Sequence, residues 1–220
     1  MFESKSGILL LGGLGFFLLA FLSNALVPIL LYQDLPEQSI DELAKNQNLI
    51  YQFEDLSVRY PDQFQKYYGQ ASHENLSKAL ALGHKVYVAE GCWHCHSQFV
   101  RPVSNESVRW CKVASSDEYQ NILNRPVMWG TRRVGPDLSR EGGRRGNDWH
   151  AVHFFDPASL SPGSPMPKYP WFYADDDPSK PNQRGLAIIT YVQWLGSWLE
   201  QYPLYEDYVP LEEQMQNPLE

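Results

Sequence analysis

The sequence predicts an all-α protein with one N-terminal transmembrane helix, followed by a domain whose few helices are joined by long loops. Three observations predict this fold class. An apolar run without charges covers residues 7–32, and apolar residues recur at helical three-to-four spacing in residues 76–91 and 183–200. Between residues 97 and 181, Gly, Pro and aromatic residues replace regular periodicity, which is typical of long loops.

The apolar run is long enough to cross a membrane. Some 25 residues at about 1.5 Å each make a helix of roughly 37 Å, whereas a hydrocarbon core is about 30 Å thick. The alternative is a cleaved secretory signal, which would be shorter and would end in a small-residue cleavage site. This run ends instead in Leu30, Leu31 and Tyr32. We therefore expect residues 1–33 to form an uncleaved anchor.

The rest of the chain divides into three predicted parts. Residues 34–75 are polar, with a helical-looking stretch at 43–56, and we expect them to form a juxtamembrane spacer. Residues 76–200 form the predicted domain, and residues 201–220 form a tail with five acidic residues and no Lys or Arg. The net charge of −8 argues against a nucleic-acid partner, because phosphate binding needs a concentrated basic surface.

Two helices joined by roughly eighty loop residues would pack poorly unless a large group filled the centre of the domain. Residues 92–96 read Cys-Trp-His-Cys-His, which is the Cys-x-x-Cys-His attachment motif of c-type haem. Cys92 and Cys95 would each form a thioether with one haem, and His96 would be the proximal ligand of the iron. A redox dithiol would need a strand-to-helix context, and a zinc site would need two further ligands. The sequence therefore predicts one covalently bound haem c.

Met166 is the candidate for the second axial ligand, because Pro165 and Pro167 stiffen the backbone on both sides of it. Ligation by His and Met raises the reduction potential and suits electron transfer, whereas an open position suits gas binding. A lone Met more often serves packing. Three rivals lie in the same loop region: Met128, His150 and His153.

Further residues are expected around the haem. Pro136 is the candidate acceptor for the N–H of His96, because ligating histidines are oriented by such hydrogen bonds. Arg101, Arg132 and Arg133 could face the haem propionates through charge-assisted hydrogen bonds, and exposed arginines are the alternative. Cys111 is expected to be a buried or free thiol, since the other two cysteines bind the haem.

Several blocks of the sequence resemble subunit II, the mono-haem cytochrome c subunit (CcoO/FixO-like), of cbb3-type cytochrome c oxidases. They follow one another in the order found in that family and cover roughly residues 80–196. The most specific are EGCWHCHSQFVRP at 90–102, WGTRRVGPDL at 129–138, GGR at 142–144 and MP at 166–167.

The resemblance implies a class I cytochrome c-like domain on a single transmembrane helix in the bacterial inner membrane, with the haem domain on the outer, periplasmic side. It also implies that Cys92 and Cys95 attach the haem, and that His96 and Met166 ligate its iron. Such a subunit has no catalytic site of its own. It passes electrons from a dihaem cytochrome c subunit or a soluble cytochrome c to the haem b and copper subunit that reduces oxygen to water.

The chain departs from the family in its longer 34–75 segment, in Trp110-Cys111 and in its acidic tail. Two alternatives share the anchor and the single haem: the cytochrome c subunit of nitric oxide reductase, and a free-standing membrane-tethered cytochrome c. The residues after the haem motif and the block containing Trp149, His150 and His153 favour the oxidase subunit over the first alternative.

Overall fold

The computed structural model of the chain describes residues 4–34, 36–45, 49–110 and 112–197, and within them it contains helices and no strand. The predicted all-α class is therefore confirmed for the part of the chain that is described. Cys111 and the tail 201–220 lie outside the described residues. Contacts divide the chain into two compact units, Met1–Glu37 and Gln38–Glu220.

The first unit contains one helix, α1, which spans Lys5–Tyr32 and is long and apolar enough to cross a membrane. The helix widens into one π-helical turn at Leu22–Leu26. Pro28 accounts for this turn, because proline has no N–H to donate and its ring clashes with the carbonyl group four residues earlier. The polar side chains here pair within the helix, as an apolar environment requires: Asn24 Nδ2 donates to the carbonyl oxygen of Ala20 at 3.0 Å.

The second unit begins with three short helices in the segment predicted as a spacer. They are α2 (Ile40–Lys45), α3 (Tyr51–Arg59) and α4 (Pro61–Tyr67). Their apolar faces are buried around an aromatic cluster in which Phe53 packs edge-on against Phe64, with ring centroids 5.1 Å apart, and against Tyr68 at 5.8 Å. This segment is therefore part of the hydrophobic core of the second unit.

The centre of the second unit is a pair of crossing helices, α5 (His73–Ala89) and α10 (Gln183–Trp194). Ser72 caps α5 by accepting from the N–H of Asn75, so the helix starts three residues before the predicted 76. The predicted helix 183–200 is too long, because α10 ends at Trp194 and Gly196 then adopts a left-handed backbone with φ +87°.

The single helical turn α6 (Cys92–Cys95) follows α5. Among the described residues, three further α-helices lie in the region 97–181 that was predicted as loops: α7 (Glu106–Trp110), α8 (Asn147–Phe155) and α9 (Pro157–Leu160). Helix α8 is buried along one face and is anchored to the spacer segment, since Asn147 Nδ2 donates to the carbonyl oxygen of Gln52 at 2.7 Å. The hydroxyl of Tyr173 also donates to the carbonyl oxygen of Ala151 at 2.6 Å. These contacts fix α8 beside the crossing pair and define one wall of a cavity.

Candidate functional site

A cavity of about 660 Å³ lies between the end of α5, helices α8 and α10, and the loops that connect them. Its wall includes Cys92, Cys95, His96, Pro136 and Met166, which are five of the eight residues that the sequence predicted around a haem. The volume falls within the range of about 300–1,000 Å³ that is usual for pockets that bind cofactors and other small molecules. Predicted haem-binding residues that lie up to 74 positions apart in the sequence, from Cys92 to Met166, thus line one cavity.

Cys92 and Cys95 are brought to the cavity by a change of direction after α5. Gly91 adopts a left-handed backbone with φ +70°, which ends α5 and starts the single turn α6. Residues three apart on a helix lie on the same face, so both thiols project from one side of α6. Cys92 is half-buried and Cys95 is exposed, and neither forms a disulfide.

His96 directly follows this turn, and its ring is held by a loop that passes close over it. Its Nδ1 lies 2.9 Å from the carbonyl oxygen of Pro136. Because a carbonyl oxygen can only accept, Nδ1 carries the hydrogen and the lone pair is on Nε2, the nitrogen suited to bind a metal. Burial lowers the pKa of His96, and the hydrogen bond to Pro136 opposes that shift.

The close approach of the loop depends on Gly135. A Cβ at this position would lie 2.3 Å from Cε1 of His96, which no packed structure tolerates. The N–H of Gly135 also donates to the carbonyl oxygen of Cys95 at 3.0 Å. The sequence Gly-Pro at 135–136 therefore combines a residue that lets the backbone approach the ring with a carbonyl group that orients it.

A network of buried hydrogen bonds and ion pairs holds the loop that contains Gly135 and Pro136 in place. The carboxylate of Asp137 accepts from the hydroxyl of Ser97 and, at 2.8 Å, from the N–H of Phe99. Arg133 Nε donates to Ser97 Oγ at 2.7 Å, and its guanidinium pairs with Glu106.

Arg101 and Arg133 are thus engaged in this network. Arg101 Nε lies 3.1 Å from Glu106 Oε1, and neither arginine lines the cavity. Arg132, the third arginine predicted near the propionates, is likewise not among the lining residues. The positions of these three arginines therefore do not support the contact with haem propionates expected from the sequence.

Met166 reaches the cavity from the segment that joins α9 to the turn Pro170–Phe172. It is half-buried against the core, and its N–H lies 3.3 Å from the hydroxyl oxygen of Ser164. Of its three rivals, His150 and His153 also line the cavity, whereas Met128 is buried elsewhere in the core. Position alone therefore leaves Met166, His150 and His153 as candidates for a second axial ligand.

The wall also contains residues that sequence reasoning missed: Glu141, Arg145 and Trp149. The guanidinium of Arg145 lies over the ring of Trp149, 4.3 Å from its centroid. The adjacent arginines in Gly-Gly-Arg-Arg-Gly at 142–146, directly before an aromatic residue and two histidines, are a signal that could have identified this part of the wall.

The residues present fit a covalently bound haem. Two thiols lie on one face, an oriented imidazole offers Nε2, a thioether lies on the same cavity, and most of the remaining wall is apolar. A zinc site fits less well, because no group of three or more His, Cys, Asp and Glu side chains suited to a metal ion occurs among the described residues.

Comparison with known proteins agrees with this interpretation. The model of the family described as "Cytochrome C oxidase, mono-heme subunit/FixO" matches residues 71–194, which is more than half of the chain. The match includes every residue from α6 to the end of α10 and so contains the whole cavity. No curated protein matches the chain.

Proposed function

This chain belongs to the family of mono-haem FixO subunits of cytochrome c oxidase, and we propose that it is the electron-transfer subunit of a cbb3-type oxidase. Membership implies one haem and an oxidase complex with further subunits, and it confirms the cytochrome c-like fold predicted from the sequence. The observation that carries the finer proposal is the meeting of Cys92, Cys95, His96 and Met166 on one cavity.

Covalent attachment is the first step of the proposal. Cys92 and Cys95 would hold the haem through two thioethers: each thiol would add across one vinyl group, its sulfur bonding to one vinyl carbon and its hydrogen passing to the other. The spacing within α6 supports this reaction, because Cys92 and Cys95 lie on the same face one turn apart. His96, held by Pro136, would then face the iron through Nε2.

We propose Met166 as the second axial ligand, because a thioether opposite an imidazole raises the reduction potential. When bound, the haem supplies a one-electron couple between ferrous and ferric iron. The chain's residues keep both ligands in place and surround them with apolar side chains. We also propose that the chain has no catalytic role of its own, as the electron-transfer role of this kind of subunit implies.

The proposed partners follow from family membership. We propose that electrons arrive from a dihaem cytochrome c subunit or a soluble cytochrome c and leave for a catalytic subunit with haem b and copper. We further propose that α1 anchors the chain in the bacterial cytoplasmic membrane, with the haem domain on the periplasmic side. The length and apolar composition of α1 support the anchor.

The experiment that tests this function is isolation of the tagged chain from its native membranes in mild detergent, followed by measurement of haem types and oxygen uptake. We expect haem b and copper to accompany haem c, and oxygen uptake to be sensitive to cyanide. Haem b with non-haem iron and reduction of nitric oxide would instead identify a nitric oxide reductase. Haem c alone would identify a free-standing cytochrome.

A further inference from the structure

One part of the cavity wall differs from the rest in carrying several ionisable side chains. We call it the polar corner and define it as Glu141, Arg145, His150 and His153. Arg145 is the only Lys or Arg among the described residues that line the cavity. Any anionic group of a molecule bound in the cavity would therefore find its cationic partner here.

Arg145 is fixed in place by two contacts that leave part of it accessible. Its guanidinium lies 2.7 Å from Glu141 Oε1 and stacks over the ring of Trp149. The side chain of Arg145 is 40% exposed to solvent. A planar guanidinium held in this way has further N–H groups to offer a carboxylate.

The polar corner also contains three buried atoms without a hydrogen-bond partner: Oε2 of Glu141, Nε2 of His150 and Nδ1 of His153. Buried polar atoms in folded proteins are nearly always hydrogen-bonded, so three unpartnered ones around one cavity indicate a polar ligand group at this place. His150 is only 2% exposed, so its ring has little access to bulk water.

The histidines are suited to donate hydrogen bonds to an anion. Each ring has at least one N–H that can point at an acceptor. Burial lowers the pKa of both rings. Burial raises the pKa of Glu141, and its ion pair with Arg145 opposes that shift.

The covalent structure of haem c indicates that its propionates, rather than its vinyl groups, face the polar corner. Thioethers form at the vinyl groups, and the two propionates lie on the other half of the porphyrin. The charged and polar neighbours of the Cys92 thiol are Glu90, Cys95 and Tyr169. Those of His150 are His153 and Arg145, neither of which is shared with Cys92, whereas His153 also interacts with His96. The polar corner therefore adjoins the proposed proximal ligand and is distinct from the immediate surroundings of the Cys92 thiol.

We propose that Arg145, together with His150 and His153, receives the haem propionates. The proposal rests on the proposed haem site and assigns to it a set of residues that the sequence did not predict. Unlike Arg145, Arg101 and Arg133 do not line the cavity, and they pair with Glu106 instead. Arg145 acts here as a direct binding residue for the cofactor carboxylates.

The test compares Arg145→Gln with Arg144→Gln in the full chain, purified with its complex in detergent. Arg144 is the matched control, because it is adjacent, lies 4.0 Å from Glu141, and does not line the cavity. The readouts are haem staining after denaturing electrophoresis, the resonance Raman band of the propionate bending mode, and the midpoint potential of haem c. The Raman band responds to hydrogen bonds at the carboxylates and does not depend on turnover.

We expect Arg145→Gln to retain covalent haem, to shift the propionate band and to lower the potential. Loss of a nearby positive charge favours ferric iron, and the ferrous-to-ferric ratio at a fixed ambient potential should fall by about tenfold. Arg144→Gln should leave the band in place. An unchanged band and potential in Arg145→Gln would overturn the propionate assignment while leaving the haem site intact.

Two results separate this proposal from the proposed function. If the wild-type chain carried no covalent haem, the proposed function itself would fail. If Arg145→Gln did not load haem, Arg145→Lys would be measured in its place, because lysine keeps the charge but not the planar donor geometry. A shifted propionate band in Arg145→Lys supports the assignment, and an unchanged band overturns it.

Discussion

A Cβ atom at Gly83 of α5 would lie 2.2 Å from the carbonyl oxygen of Ala187 in α10. It would also lie 2.6 Å from Cβ of Tyr191, so neither neighbour could move aside as the end of a flexible side chain does. The two central helices therefore cross where one of them has no side chain. Their close contact supports the cavity, because Ile188 and Val192 of α10 and Tyr87 of α5 line it.

Gly83→Ala is expected to destabilise the domain by forcing the helices apart. Overpacking of this kind costs about 1–3 kcal/mol of the free energy of unfolding. Denaturant unfolding of the purified full chain, followed by far-ultraviolet circular dichroism, measures the change. Lys85→Ala, an exposed substitution on the same helix, is the control. Equal unfolding midpoints for Gly83→Ala and wild type would contradict the crossing geometry.

Met166→Leu is expected to remove the near-infrared methionine–iron band and to lower the reduction potential, because the thioether ligand stabilises ferrous iron. Absorption spectroscopy and redox titration of the purified complex measure both effects. Met128→Leu is the matched control, since Met128 is 8% exposed and does not line the cavity. A band that survives Met166→Leu would show that another methionine is the ligand, and its loss in Met128→Leu would identify Met128. A wild-type complex without the band would instead point to His150 or His153, which line the cavity.

Gly135→Ala and Pro136→Ala are expected to differ, although they are adjacent. The first places a Cβ against the ring of His96, whereas the second keeps the carbonyl oxygen that accepts from Nδ1. We therefore predict a large loss of covalent haem in Gly135→Ala and near-normal content in Pro136→Ala. Haem staining relative to total chain measures this, and equal loss in the two variants would argue against a role for the close approach.

The pH dependence of stability should report on Glu106. Burial would raise its pKa, but hydrogen bonds from the Arg133 side chain and the Arg101 N–H outweigh burial and keep the pKa below the ordinary 4.5. A carboxylate whose pKa is lower in the folded state contributes stability that is present above the unfolded value and is lost as the pH falls.

Glu106→Gln should therefore flatten the decline of stability below about pH 4.5 and lower stability at neutral pH. Unfolding midpoints at a series of pH values measure this, with Glu54→Gln, an exposed substitution in α3, as the control. If Glu106→Gln and wild type lost stability in parallel on acidification, the ion pairs of Glu106 would not be responsible.

The sequence predicted best those helices whose apolar pattern lies within one continuous segment of the chain. An uninterrupted apolar run predicted α1, and apolar residues at helical spacing predicted α5 and α10. Helix α8 was missed, because it is short, is flanked by Gly146 and Pro157, and carries polar residues that read as a loop. Its helical form depends on contacts with α3 that lie 95 positions away in the sequence.

The arginines show why part of the site could not be predicted. Arg133 belongs to the family block at 129–138, but it pairs in the folded chain with Glu106 and Asp137, so it stabilises the loop over His96. Arg145 stands in a glycine-rich stretch with no apparent partner in the sequence. Only the folding of α8 beside α10 brings it to the cavity.

The two proposed axial ligands are held with unequal firmness. The His96 side is tied down by Pro136 and by the buried carboxylate of Asp137, which accepts from Phe99 and Ser139. The Met166 side lies in a mostly exposed segment, 161–167, where its own N–H makes one long bond to Ser164. We therefore expect heat or mild denaturant to displace the Met166 thioether from the iron first. The His96 imidazole should stay bound at that stage of unfolding.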